Sequence, residues 1–259
     1  MSEPHSRSEV APLPGLKGRS ALVIGGTRGV GRAVTEKLAV SGCDVVATFA
    51  HSAEDAGTLL ADLKDTPGSL ETLRGDARRA ETLPEAMRHV RERHGRLDIL
   101  VHAAASAHPM PVLGMRLTEV YADTATALVP LAASAGPAAD LLSEGGRIIV
   151  VSASVARGVA PHMVSLGVAK AALESLTRFV AVELADRGVT VNAVSASKLD
   201  KGADTPRPEV ARAIGARTPA GRLATPRDVA DTVALLCLPE AQWITGHVVS
   251  ADGGLSLLA

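Results

Sequence analysis

Three groups of residues in this chain have types and spacings that could do chemistry. The first is Gly25, Thr27, Arg28, Gly29, Val30 and Gly31, between the apolar run Ser20–Ile24 and a helical pattern that begins at Gly29. Glycines let the backbone turn tightly and approach a pyrophosphate, and the start of the next helix offers free N–H groups and a partial positive charge. Thr27 adds a hydroxyl. A strand before and a helix after make this pattern a dinucleotide phosphate loop rather than a plain tight turn. The second group is histidine and serine at or just beyond strand ends and at the start of a helical pattern: His102, His108, His162 and Ser165. A histidine ring changes charge near neutral pH and can act as acid or base. The third is Lys198, Asp200 and Lys201, where a lysine can hold an anionic substrate or activate a carbonyl.

These groups need a frame. Buried-strand runs are read at 20–24, 42–49, 69–73, 97–102, 145–151, 189–194 and 246–250. Helical patterns fall between them at 29–40, 53–63, 83–94, 117–142, 164–186 and 226–236, with Pro130, Gly136 and Pro137 interrupting the fourth. Thr225-Pro226-Arg-Asp228 reads as an N-cap followed by Pro at the first helical position. Strand and helix alternate throughout. This predicts an α/β fold: one Rossmann-type, doubly wound parallel sheet with helices on both faces. Ligands in such sheets bind beyond the carboxyl ends of the strands, where the three groups lie. Residues 16–259 are read as a single domain, 1–15 as a polar, disordered leader, and about 195–220 as a long substrate loop.

Composition narrows the classes. Of 259 residues only one is Trp, one Tyr and two Phe, so the core must be aliphatic. Net charge is −1 with acids and bases interleaved, which argues against nucleic acid. Cys43 and Cys237 have no metal-ligand spacing and read as buried thiols of a reducing cytoplasm; no metal is expected. No apolar run reaches the roughly 20 residues that span a bilayer, so no membrane partner is expected.

The glycine spacing is Gly-x-x-x-Gly-x-Gly. With it go Gly75-Asp76-Ala77, Leu97-Asp98, Gly167-Val-Ala-Lys-Ala-Ala-Leu173, Val191-Asn-Ala-Val194, Thr218-Pro-Ala-Gly-Arg222 and Ser250-Ala-Asp-Gly-Gly254. In these motifs the chain resembles the short-chain dehydrogenase/reductase family from Leu16 to Leu258, most closely its NADPH-preferring enoyl-acyl-carrier-protein reductase branch. The resemblance implies that Asp76, with Ala77, meets the adenine, that Thr27 and Arg28 lie by the adenosine ribose and its phosphate, and that Ala103 borders the cofactor. An acid after the second strand would favour NAD; Thr48, Phe49, Ala50 and His51 include none, and Arg28 with His51 could face a 2′-phosphate. NADP(H) is the expected cofactor.

The family's chemistry uses a Tyr, a Lys, a Ser and an Asn. Lys170 matches the Lys, which lowers the Tyr pKa and holds the nicotinamide ribose. The Tyr position falls on Leu166, or on Met163 by the enoyl-reductase spacing; the Ser position falls on Ala153 and the Asn near Ala125 or Ala127. The usual Asn-Asn-Ala-Gly reads His102-Ala-Ala-Ala105, the usual Pro-Gly reads Ser195-Ala196, and a carboxamide-binding Thr gives way near Lys201. Tyr121, the only tyrosine, reads as surface or packing. The resemblance therefore implies an intact adenosine half and a rewritten substrate half, with Ala153, Met163, Leu166, Ser195, Lys198 and Lys201 around the pocket. His162 is the first choice for a substitute acid and His102 the second. The expected function is a cytoplasmic, NADP(H)-dependent biosynthetic reductase of atypical mechanism, acting on a small, largely apolar carbonyl or enone, free or carrier-tethered. A homodimer or homotetramer built on the long helices is expected. Two other readings stand beside it: a non-redox cyclase, isomerase or dehydratase reusing the pocket, with the cofactor structural or absent, and a catalytically silent partner in an oligomer.

Overall fold

A computed structural model describes residues 10–258. The aliphatic runs become strands because Val, Ile and Leu, covered on both sides, suit a sheet that meets water at neither face. The seven strands among the described residues are β1 (Ser20–Ile24), β2 (Asp44–Phe49), β3 (Leu70–Arg74), β4 (Leu97–His102), β5 (Leu142–Ala153), β6 (Thr190–Ala196) and β7 (Val248–Ala251). All pair in parallel, in the order β3-β2-β1-β4-β5-β6-β7. The order reverses direction between β1 and β4, which leaves a crevice at their carboxyl ends.

The helices are α1 (Gly29–Val40), α2 (Ala53–Asp62), α3 (Thr82–His94), α4 (Leu117–Leu141), α5 (Val164–Glu183), α6 (Pro208–Arg217) and α7 (Pro226–Leu236). Alternate residues of each strand feed opposite cores. Leu22, Ile24, Leu100, Ile148 and Val150 pack with Leu83, Leu131 and Leu173 on the side of α3, α4 and α5. Ala21, Val23, Ile99, Val101 and Ile149 pack with Val34, Leu38, Leu59, Val229 and Val233 on the side of α1, α2 and α7. Each fully buried Leu or Val contributes about 1.5–3 kcal/mol. No helix of the described residues is long and apolar enough to cross a membrane.

Three expectations change. The stretch 195–220 is not one open loop: β6 runs to Ala196, and α6 stands inside it, started by Pro208 and turned inward by buried Ala211 and Gly215 one turn apart. The prolines do not interrupt α4, which is continuous from Leu117 to Leu141. An interior Pro costs about 3 kcal/mol, but Ala127, Leu131, Ala138 and Leu141 bury along the same face and outweigh it. Finally, α5 ends at Glu183 and tightens to a 3-10 turn, Ala185–Arg187, before Gly188. Of the leader read over 1–15, residues 1–9 lie outside the described residues. Ala11 and Leu13 are tied to the end of α1: Lys37 Nζ donates to Ala11 O at 2.7 Å, and Leu13 N donates to Ser41 Oγ at 2.9 Å.

Candidate active site

The glycine loop follows from backbone geometry. Gly25 has φ 77°, a left-handed conformation that favours glycine. A Cβ on Gly31 would lie 2.0 Å from the Gly25 carbonyl oxygen, so only glycine lets α1 start this close to the loop. Gly25, Thr27, Arg28, Gly29 and Val30 open on a cavity of about 1250 Å³ along the carboxyl ends of the strands. Gly31 lies behind them as the contact that closes the turn.

The same cavity is lined at one end by His51, Asp76, Ala77 and Arg78 and in the middle by Ala103. Asp76 is gripped by Arg78, whose Nε lies 3.1 Å from both carboxylate oxygens and whose Nη2 lies 2.6 Å from Oδ2. That hydrogen bond is the main reason the carboxyl sits below the ordinary Asp range. Arg78 adds a cation to Arg28 and His51 at this end. It went unread in the sequence, although an Asp two residues before an Arg in a turn is a local signal.

At the other end the cavity is lined by Ala153, Leu166, Lys170 and Lys201, with Ser106, His108 and Thr126 opposite, and by Thr225, Pro226 and Arg227. Leu166 lies one turn before Lys170 on α5, so its side chain shares that wall. Lys170 Nζ donates to Val151 O at 2.6 Å. Burial pushes its pKa down to about 8, against the pull of Glu174 one turn on. Glu174 in turn accepts from Ser152 Oγ at 2.6 Å.

His102 is fully enclosed. Its Nε2 lies 2.9 Å from Ala127 O, so that nitrogen carries the proton and donates, while Nδ1 has no partner. Burial first, and Lys170 second, push its pKa down to about 3. It is a neutral ring near neutral pH and does not reach the cavity wall. His162 is exposed, at φ 66°, and its carbonyl accepts from Met110 N at 2.9 Å; neither it nor Met163 lines the cavity. Met163 pairs with Met110 in an isolated parallel bridge instead. Ser195 is buried in β6, and Lys198 turns away to donate to Pro206 O at 2.7 Å. Tyr121 is exposed on α4 and is not a lining residue.

Sequence reading also missed a cluster around Asp123. Its side chain is fully buried, and it accepts from Ser106 Oγ (2.6 Å), Ser165 Oγ (2.6 Å), His108 N (3.0 Å) and His108 Nδ1 (2.7 Å). Three elements, the loop after β4, α4 and α5, thus meet on one carboxylate. The available signal was a lone acid on the face of α4 that carries Ala127, Leu131, Ser134 and Ala138. Among the described residues no group of His, Cys, Asp and Glu could hold a metal ion.

A seven-stranded parallel sheet with its glycine loop at the β1–β4 crevice, and Lys170 at the far end of the same cavity, define a dinucleotide-binding reductase architecture. The chain belongs to the short-chain dehydrogenase/reductase family. The family model for enoyl-(acyl carrier protein) reductase matches residues 25–256. The chain is 31% identical over 244 residues to 1-cyclohexenylcarbonyl-CoA reductase of Streptomyces collinus, covering 92% of this chain and 87% of that one. It is 30% identical to 3-oxoacyl-[acyl-carrier-protein] reductase of Synechocystis sp. over 246 residues, covering 94% and 99%. A short-chain dehydrogenase of Burkholderia cenocepacia, solved in complex with NADP, superposes with a TM-score of 0.86 at 31% identity, covering 93% of this chain and 99% of that one.

Proposed function

We propose that the chain is an NADP(H)-dependent reductase of atypical mechanism, acting on a small, largely apolar, conjugated carbonyl compound. The observation that carries this reading is the continuity of one cavity from the Gly25–Val30 loop to Leu166 and Lys170. The residues fit a dinucleotide: a cradle that a Cβ at Gly31 would fill, the N-terminus of α1 for the pyrophosphate, and Asp76 at the adenine end. Arg28, His51 and Arg78 favour a 2′-phosphate over a free ribose hydroxyl. The cofactor, when bound, supplies a hydride to a substrate carbon. The NADP complex of the Burkholderia relative and the reductase names of the two enzymes above support the same choice.

The substrate class follows from the wall. Leu166 and Ala153 offer no hydroxyl donor to a ketone oxygen. Reduction of a carbon–carbon double bond next to a carbonyl suits this wall best, because charge on the oxygen can be stabilised by other donors and the carbon protonated afterwards. Two relatives named for thioester substrates make a carrier-tethered or CoA-linked acyl group the natural candidate. The exposed Leu117 and Tyr121 of α4 and Val168, Phe179 and Val182 of α5 are assigned to a second copy of the chain.

The test is a calorimetric titration with NADPH and NADH, followed by a turnover assay on α,β-unsaturated and 3-oxo acyl thioesters. Binding of NADPH at least tenfold tighter than NADH is expected, with oxidation of NADPH by the unsaturated thioester and loss of binding in Gly31→Ala. A wild-type protein that binds neither nucleotide, or binds NADPH but oxidises it with no member of the panel, would remove the reading.

A further inference from the structure

We propose that His108, held by the buried carboxylate of Asp123, is the proton donor to the substrate in this cavity, and that Asp123 is its positioning residue. This rests on the reductase reading above and names the group that takes over where Leu166 and Ala153 offer none.

His108 sits on the loop after β4, with its side chain 43% exposed and facing the cavity that Leu166 and Lys170 line from α5. Its Nδ1 lies 2.7 Å from Asp123 Oδ1. A carboxylate accepts, so Nδ1 carries the proton and the tautomer is fixed. Nε2 makes no hydrogen bond to protein among the described residues and is left for the cavity. This is the arrangement of a general acid–base: one ring nitrogen anchored on a buried acid, the other free to exchange a proton with substrate.

The anchor is itself rigid. Asp123 is wholly buried on α4, and besides both His108 contacts it accepts the Ser106 and Ser165 hydroxyls. These donors pull its pKa down against the opposing and largest effect of burial, so it stays a carboxylate. A salt bridge placed only for stability would not need the exposed partner to be a histidine aimed at a cavity. The other charged groups near the ring are Glu119, one turn back on α4 and paired with Arg116, and Lys170 across the cavity on α5; the contact from α5 on the Asp123 side is the neutral Ser165.

When bound, the reduced cofactor would supply the hydride that adds to the β-carbon of the unsaturated acyl group, and the displaced pair of the carbon–carbon double bond would be left on the α-carbon and carbonyl oxygen as an enolate. His108, in its charged form, gives its Nε2 proton to that enolate; the N–H bond breaks, its pair remains on Nε2, and the other proton stays on Nδ1, donated to Asp123 Oδ1. Solvent then reprotonates Nε2 through the open side of the ring.

The experiment compares wild type, His108→Gln and Asp123→Asn, each with NADPH and a short α,β-unsaturated acyl thioester, and reads the ¹⁵N shifts of the His108 ring without substrate. In wild type the ring is expected as the Nδ1–H tautomer, and in Asp123→Asn as a mixture. His108→Gln should lose at least ~100-fold in kcat together with the pH dependence of that step, while NADPH affinity stays within about threefold. Asp123→Asn should lose less in kcat and keep NADPH affinity, which also shows that it folds. An Nε2–H tautomer in wild type overturns the proposal whatever the activity. So does His108→Gln turning over within threefold of wild type with the same pH profile. Wild-type protein silent toward every thioester and ketone removes the reductase reading and this proposal with it, a result distinct from an active enzyme indifferent to His108.

Discussion

His102 shows what a single side chain can cost in this core. The ring is sealed at the end of β4 with one nitrogen bonded and one unpartnered. Its folded-state pKa of about 3 lies below the ordinary 6.5, so the unfolded chain binds the extra proton between those values. Stability contributed here is complete above pH 6.5 and falls as the pH drops toward 3. Between pH 7 and pH 5 the wild type should lose about 2 kcal/mol more than His102→Asn, read by urea denaturation at the two pH values. Equal losses would show that the ring is not held neutral. At this scale the glycine loop and Lys170 were legible, because a tight turn and a helix position are encoded in neighbouring residues. Asp123 and Arg78 were not, because their meaning comes from groups brought from other elements or from the fold of one short turn. His162 was misplaced for the same reason: adjacency to Met163 in the chain says nothing about which way an irregular turn points.

At the scale of elements, strands and long helices followed from apolar period, while α6 hid inside a polar stretch because only Ala211 and Gly215 mark its inner face. The start of α7 was legible to the residue. Thr225 Oγ1 accepts from Asp228 N at 3.3 Å, and Asp228 Oδ2 accepts from Thr225 N at 2.7 Å, closing a capping box. Thr225→Ala should cost about 1 kcal/mol, measured by chemical denaturation. Because Thr225 and Pro226 also line the cavity, the same variant is expected to weaken NADPH binding by a fewfold. An unchanged denaturation midpoint would mean that the Arg222–Asp228 pair, at 2.7 Å, fixes this helix start without the cap.

For the whole molecule, the doubly wound sheet was readable from alternation alone, because parallel strands demand helical crossovers. Assembly was not readable in that way; it depends on which helix faces remain apolar after folding. Phe179 and Val182 are 72% and 81% exposed on α5. Sedimentation of wild type is expected to give a dimer or tetramer, and Phe179→Asp with Val182→Asp a species of half the mass or less. A wild-type monomer at micromolar concentration would refute the assignment of this face to a second copy.

The bridge between Met110 and Met163 joins the loop after β4 to the start of α5, and Asp123 bolts both to α4. Two sides of the chamber are therefore tied into one frame. Discrimination by size falls to the opposite side, where Ser197, Leu199, Asp200 and Lys201 form the door. Under the proposed activity, substitutions at that door are expected to widen the range of substrates turned over, and substitutions in the frame are not, as read by kcat/KM across substrates of increasing size.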